Sequence, residues 1–135
     1  MLAVAALLGL ALSCGPSRAA ELFRLRSNCA TLATTVYQRE QRDRAAQAFP
    51  KRAWEMRSHY DPTRNRCYVA YRVADAIIGE HVVYDAQTNQ LIAGSEMPLA
   101  GPGAFSGTIW IDGRRDKLAT FGDFEAWVDK FMRDE

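Results

Sequence analysis

At 135 residues the chain is long enough for one domain and short for two of ordinary size. Its 17 basic and 16 acidic side chains nearly cancel, so net charge supplies no general attraction for nucleic acid or other polyanions. Three cysteines without close spacing and two histidines, His59 and His81, lack the pattern of a metal site, and Gly101-Pro102-Gly103 lacks the spacing of a phosphate loop, so no metal or cofactor is expected.

The first thirteen residues carry no charged side chain and are mostly Ala, Leu and Val, an apolar run of signal-peptide size that is short for a permanent anchor. Two processing routes are open. Cleavage before Cys14, within Leu10-Ala11-Leu12-Ser13-Cys14, resembles that of a bacterial lipoprotein and would place lipid on Cys14. Cleavage after Ala19 would use Ser17 and Ala19 as the small pair of an ordinary secretory site. No Lys or Arg precedes the apolar run, which leaves the natural start open. The expected division is a signal segment at 1–19 (1–13 for a lipoprotein) and a single α+β domain at 20–135.

Either route disposes of Cys14, leaving Cys29 and Cys67 to pair in an oxidising compartment. On the chain-entropy account such a link stabilises by about 3–4 kcal/mol. Charge is distributed unevenly: residues 21–72 hold eleven basic and five acidic side chains, residues 73–135 five basic and eleven acidic. Two readings follow. The halves neutralise each other in the fold, or the basic half meets an anionic partner such as lipid headgroups.

In chain order, Cys29, Leu32, Ala33, Val36 and Tyr37 recur at three-and-four spacing and predict a helix from about Asn28 to Ala48, capped by Ser27 or Asn28 and ended by Pro50. Arg39 with Asp43 and Glu40 with Arg44 fit a solvated face of that helix. The period then changes to two. Trp54, Met56, Ser58 and Tyr60 alternate, as do Cys67, Val69, Tyr71 and Val73, and the Asp61-Pro62-Thr63-Arg64-Asn65-Arg66 segment between them has turn chemistry. Runs at His81–Asp85 and Gln90–Gly94 extend the hairpin to an antiparallel meander of about four strands. Met97–Gly107 reads as an irregular loop, and Thr108–Ile111 as a short fifth strand. The last element is an amphipathic helix with Phe121, Phe124, Trp127, Val128, Phe131 and Met132 in one stripe, Thr120 as N-cap and Asp123 as its capping-box partner. That stripe is expected to pack on the sheet, with Trp127 a core residue.

Ser58-His59-Tyr60-Asp61, then Arg66-Cys67-Tyr68-Val69, then Val83-Tyr84-Asp85-Ala86 resemble a pattern in uncharacterised bacterial secreted proteins and lipoproteins, over roughly Asn28–Gly94. Those proteins more often have asparagine at the position of Asp61. Tyr84–Leu91 is also similar to the hairpin of PepSY-type envelope domains. The resemblance implies export and this fold, and brings no activity with it.

Catalysis has thin material. His59 and Asp61 would share a strand face, with Glu80 and His81 as further candidates, but no serine sits in a nucleophile elbow and both remaining cysteines are expected to be oxidised. Asp61 equally suits an Asx turn before Pro62. The expectation is a non-catalytic module of the periplasm or cell envelope that binds an envelope protein, a lipid surface or a small ligand. Nucleic acid is not expected, and membrane contact comes only through a lipid on Cys14. The alternative is a small hydrolase-like enzyme using His59 and Asp61, or His81.

Overall fold

The structure, a computed structural model, describes residues 17–46, 52–100 and 103–133. Cys14 and the apolar run before it lie outside the described residues. In order come α1 (Arg18–Ala45), β1 (Arg52–Asp61), β2 (Arg66–Ala74), β3 (Ile78–Asp85), β4 (Gln90–Pro98), β5 (Ser106–Ile111), β6 (Arg114–Leu118) and α2 (Phe121–Phe131). The six strands form one antiparallel sheet in sequence order, giving the expected α+β class with more strands than the four or five expected.

The two helices lie on opposite faces. Cys29, Ala33 and Val36 of α1 pack on Val69, Tyr71 and Val73, while Phe124 and Val128 of α2 pack on Tyr68, Ala70, Val83 and Ile109. Residues of β2 therefore alternate between two apolar layers, so this strand reads as a nearly continuous apolar run. The Cys29–Cys67 disulfide, with Cα atoms 5.3 Å apart, fastens α1 to the start of β2.

Several boundaries differ from expectation. Helix α1 begins ten residues early, because Ser17 accepts the amide of Ala20 as N-cap and Leu22 and Leu25 continue the apolar stripe; Asn28 lies inside the helix. The stretch 47–50, including the predicted end at Ala48, lies outside the described residues. In β1 the alternation is broken. Trp54 pairs with Arg72 but Arg57 with Ala70, so Glu55 and Met56 form a bulge, with Glu55 at φ 55°. The bulge flips parity: Ala53 faces α1 before it and Met56 and Tyr60 face α1 after it, leaving Trp54 partly exposed. Strand β4 runs on to Pro98, and β5 starts at Ser106, which shortens the predicted Met97–Gly107 loop.

The sixth strand, Arg-Arg-Asp-Lys-Leu, follows a two-residue Asp112-Gly113 turn with both φ values positive, the geometry that favours this pair in hairpins. The turns after β1 and β3 share another device. Asp61 accepts the amides of Thr63 and Arg64 (2.8 and 3.0 Å), Asp85 those of Gln87 and Thr88 (2.8 and 3.1 Å), and Asn65 and Asn89 close the two turns at positive φ. In a meander these three turns stand at one end of the sheet, and α2 finishes there too.

Ion pairs join the cation-rich and anion-rich parts of the chain: Arg44–Glu80 (3.7 Å), Arg57–Asp129 (2.8 Å), Arg64–Asp112 (3.1 Å), Arg66–Asp85 (3.3 Å) and Arg72–Glu125 (2.5 Å). Among the described residues no helix is long and apolar enough to cross a membrane.

Candidate functional site

Two clefts on the α2 side of β1 hold the histidines and are built from different materials. The first, about 390 Å³, lies at the turn end between the β1–β2 hairpin, the last turn of α2 and Arg26 of α1. Parity after the bulge puts His59 and Asp61 on this side. His59 stacks on Tyr68 (centroids 6.4 Å, 11°), Tyr68 meets Phe131 (4.7 Å), and Phe131 stacks on Trp127 (4.7 Å, 14°). Four cations line the cleft, Arg26, Arg64, Lys130 and Arg133, against one carboxylate among its described residues, Asp61.

That carboxylate is already committed. Its oxygens take two turn amides and the Arg64 guanidinium at 2.9 Å. Burial alone would raise the Asp61 pKa, but the Arg64 hydrogen bond and the turn amides outweigh it and hold the carboxyl below its usual range. Asp61 thus serves the turn, and the His59 ring stacks on Tyr68. Lys130 sits in the last turn of α2 and Arg133 just beyond its C-cap, where positive charge is favoured by the helix dipole.

The second cleft, about 360 Å³, is lined by Glu55, Met56, Arg57, Arg72, His81, Glu125 and Asp129. The His81 Nδ1 is 2.5 Å from Glu125 Oε1, and the other Glu125 oxygen accepts from Arg72 at 2.5 Å. Arg72 also meets Glu55 at 3.3 Å, a contact created by the bulge that turns Glu55 to this side. His81 is 4% exposed and its ring meets Phe124 edge-on at 5.8 Å. Burial pushes the His81 pKa down, against the pull of Glu125, so the imidazole is neutral at pH 7 and donates from Nδ1 to the carboxylate. This is an acid–base pair in form, with its charges satisfied internally.

His59 and Asp61 share a strand face, as expected, and the further candidates Glu80 and His81 stand apart from them. His59 and Asp61 line one cleft, His81 the other, and Glu80 is on the α1 side with Arg44. On the neighbouring strand opposite His81 stands Ser95, 4% exposed, whose hydroxyl lacks a hydrogen-bond partner among the described residues and which is not among the residues lining the cleft. No cluster of three or more His, Cys, Asp or Glu suited to a metal occurs among the described residues. Sequence reasoning missed Arg72, Glu125 and Lys130 as site residues, since each becomes informative only when α2 is laid on the sheet. Compared with known proteins, the chain matches no family model, no curated protein and no solved structure.

Proposed function

We propose that this is a non-catalytic binding module of the bacterial cell envelope, exported and either free in the periplasm or held by lipid on Cys14, which takes a small anionic ligand in the turn-end cleft. One observation carries the reading: among its described residues the cleft sets exposed Lys130, which makes no ion pair there, beside the Trp127 and Phe131 rings, and its one described carboxylate, Asp61, is held by its own turn and Arg64. An incoming anion gains charge-assisted hydrogen bonds without displacing an internal partner of Lys130. The disulfide supports export, since such links persist in oxidising compartments.

Titration with glucuronate, a carboxylated sugar, followed by amide chemical shifts, tests the site. Saturable shifts confined to the His59–Arg64 hairpin and the end of α2, lost in Lys130→Glu, are expected; shifts that survive in Lys130→Glu refute it. Intact mass of the protein recovered from cells tests the location. A shortened chain that gains two hydrogens on reduction is expected, and an unprocessed chain with free thiols counts against export.

The 2.5 Å His81–Glu125 contact favours a second reading, a hydrolase in which His81 Nε2 is the base. It ranks below the first because the imidazole is buried and the cleft lining supplies no nucleophile. Ester hydrolysis that disappears in His81→Gln would promote it.

A further inference from the structure

Helix α1 has two faces, and the sheet uses only one of them. Leu22, Leu25, Cys29, Ala33 and Val36 pack toward the sheet. At 3.6 residues per turn the opposite line runs Ala20, Phe23, Ser27, Ala30, Thr34 and Gln38, and no charged side chain falls on it. Phe23 is the most exposed large apolar side chain among the described residues, at 75%. The threonines along this side spend their hydroxyls on the helix's own backbone: Thr31, Thr34 and Thr35 donate to the carbonyls of Ser27, Ala30 and Thr31 (3.2, 2.8 and 3.1 Å).

Charge is sorted around the same helix. Glu21, Glu40 and Asp43 fall on its sheet-facing half, whereas Arg24 and Arg42 flank the outward line. Both arginines are exposed and make no ion pair among the described residues.

The sequence ahead of α1 says what this face meets. The helix is capped by Ser17, whose Oγ accepts the amide of Ala20 at 3.3 Å and whose carbonyl accepts that of Glu21 at 3.0 Å. Cleavage before Cys14 keeps that cap, and cleavage after Ala19 removes it. Only Gly15 and Pro16 stand between Cys14 and Ser17, at most about 11 Å of extended backbone. A lipid on Cys14 therefore holds the first turns of α1 at the bilayer surface.

Resting on the lipid-held form of the module proposed above, we infer that the outward face of α1 is a membrane-docking surface. It lies along an anionic bilayer, with Phe23 inserted among the headgroups and Arg24 and Arg42 paired with lipid phosphates. An interfacial helix buries its apolar side chains at the boundary of headgroups and acyl chains, and arginines near the surface add electrostatic attraction. Docking fixes the orientation of a domain that a tether alone leaves free to turn. With α1 between bilayer and sheet, α2 and the two histidine clefts open away from the membrane.

The test uses protein extracted from cell envelopes, its Cys14 acylation verified by intact mass. It is reconstituted into vesicles of phosphatidylglycerol and phosphatidylethanolamine containing a photoactivatable phospholipid, and the labelled peptides are mapped. Labelling of the 19–24 peptide should exceed that of α2 at least about tenfold, and Phe23→Asp should lower it at least about fivefold with acylation and thermal melting unchanged. Replacing phosphatidylglycerol by phosphatidylcholine should also lower it, and the Arg24→Glu, Arg42→Glu double variant should lose that dependence.

Labelling spread evenly over the domain, or unchanged in Phe23→Asp, overturns the docking and leaves a plain tether on Cys14. A lipidated chain that dimerises in detergent and loses the dimer in Phe23→Asp gives the face to a second copy and overturns it too. So does a mature chain cut after Ala19 and free of lipid, while Lys130-dependent glucuronate binding then keeps the binding-module reading. Conversely, failure of glucuronate to bind with α1 labelling intact removes the ligand site and leaves the docking.

Discussion

The two clefts beside the histidines share a wall, α2, and differ in what their charges do. Around His81 the carboxylates of Glu55, Glu125 and Asp129 answer Arg72 and Arg57, and the cleft is electrically closed. At the turn end the one described carboxylate, Asp61, is used up by its turn and Arg64, and exposed Lys130 makes no ion pair among the described residues. The difference teaches that perturbed titration and proximity identify structural networks as readily as ligand sites. The more informative sign is a single exposed cation such as Lys130, which no described acid answers.

Phe124 is the residue the clefts have in common, since its ring meets His81 on one side and Trp127 on the other (5.8 and 6.5 Å) and is fully buried. Phe124→Ala should cost about 3–5 kcal/mol and disturb both clefts together, as read by chemical denaturation and by histidine and indole resonances. A variant that melts normally would mean that α2 does not depend on the sheet.

Glu125→Gln should separate the clefts. It leaves Arg72 and His81 with a neutral acceptor and should destabilise by about 1–3 kcal/mol, with glucuronate binding at the turn end unchanged. Loss of that binding would show that the two sites are coupled through α2.

Acid should act on the same cleft. The folded-state pKa of His81 is below its unfolded value, so the unfolded chain binds the proton more readily and stability falls as pH drops through and below about 6.5. Asp61 adds to the loss at lower pH, because its carboxyl is depressed and its contribution disappears as the group protonates. In His81→Gln the first phase of the loss should vanish and the Asp61 phase remain, which pH-dependent melting measures.

The smallest effect on stability should come from the residue with the largest effect on binding. Lys130→Glu should change stability by within about 0.5 kcal/mol while abolishing glucuronate binding. A large drop in melting temperature would place Lys130 in the fold and not in the site.

Much of this frame is legible from residue order. The alternation of Cys67, Val69, Tyr71 and Val73, the Thr120 cap with Asp123, and the stripe at Phe124 and Val128 each carry a periodic signal that local geometry obeys. The early start of α1 was legible too, in Leu22 and Leu25 spaced for the same stripe as Cys29, but the small residues around Ser17 also read as a processing site. The Asp112-Gly113 turn signals a hairpin, while the charged strand after it has no apolar residue before Leu118 to mark it. The bulge has no such mark. Glu55 is an ordinary residue type there, and the parity flip that exposes Trp54 is decided by packing of Ala53 and Met56 against α1. Trp127 is only partly buried, flanking the stripe as a cleft wall, so it carries less of the core than Phe124. The sites themselves depend on contacts across the chain, such as Arg72 to Glu125, that no window of sequence contains.

An open sheet has two borders, and both of them here repel growth. Strand β6 presents Arg114, Arg115, Asp116 and Lys117, all exposed, and β1 is kinked by a residue in left-handed conformation. A neighbouring copy approaching β6 meets like charge, and one approaching β1 finds its hydrogen-bonding ladder out of step at Glu55. The sheet therefore ends where the chain ends it, and crowding of many copies should not convert the meander into a continuous ribbon.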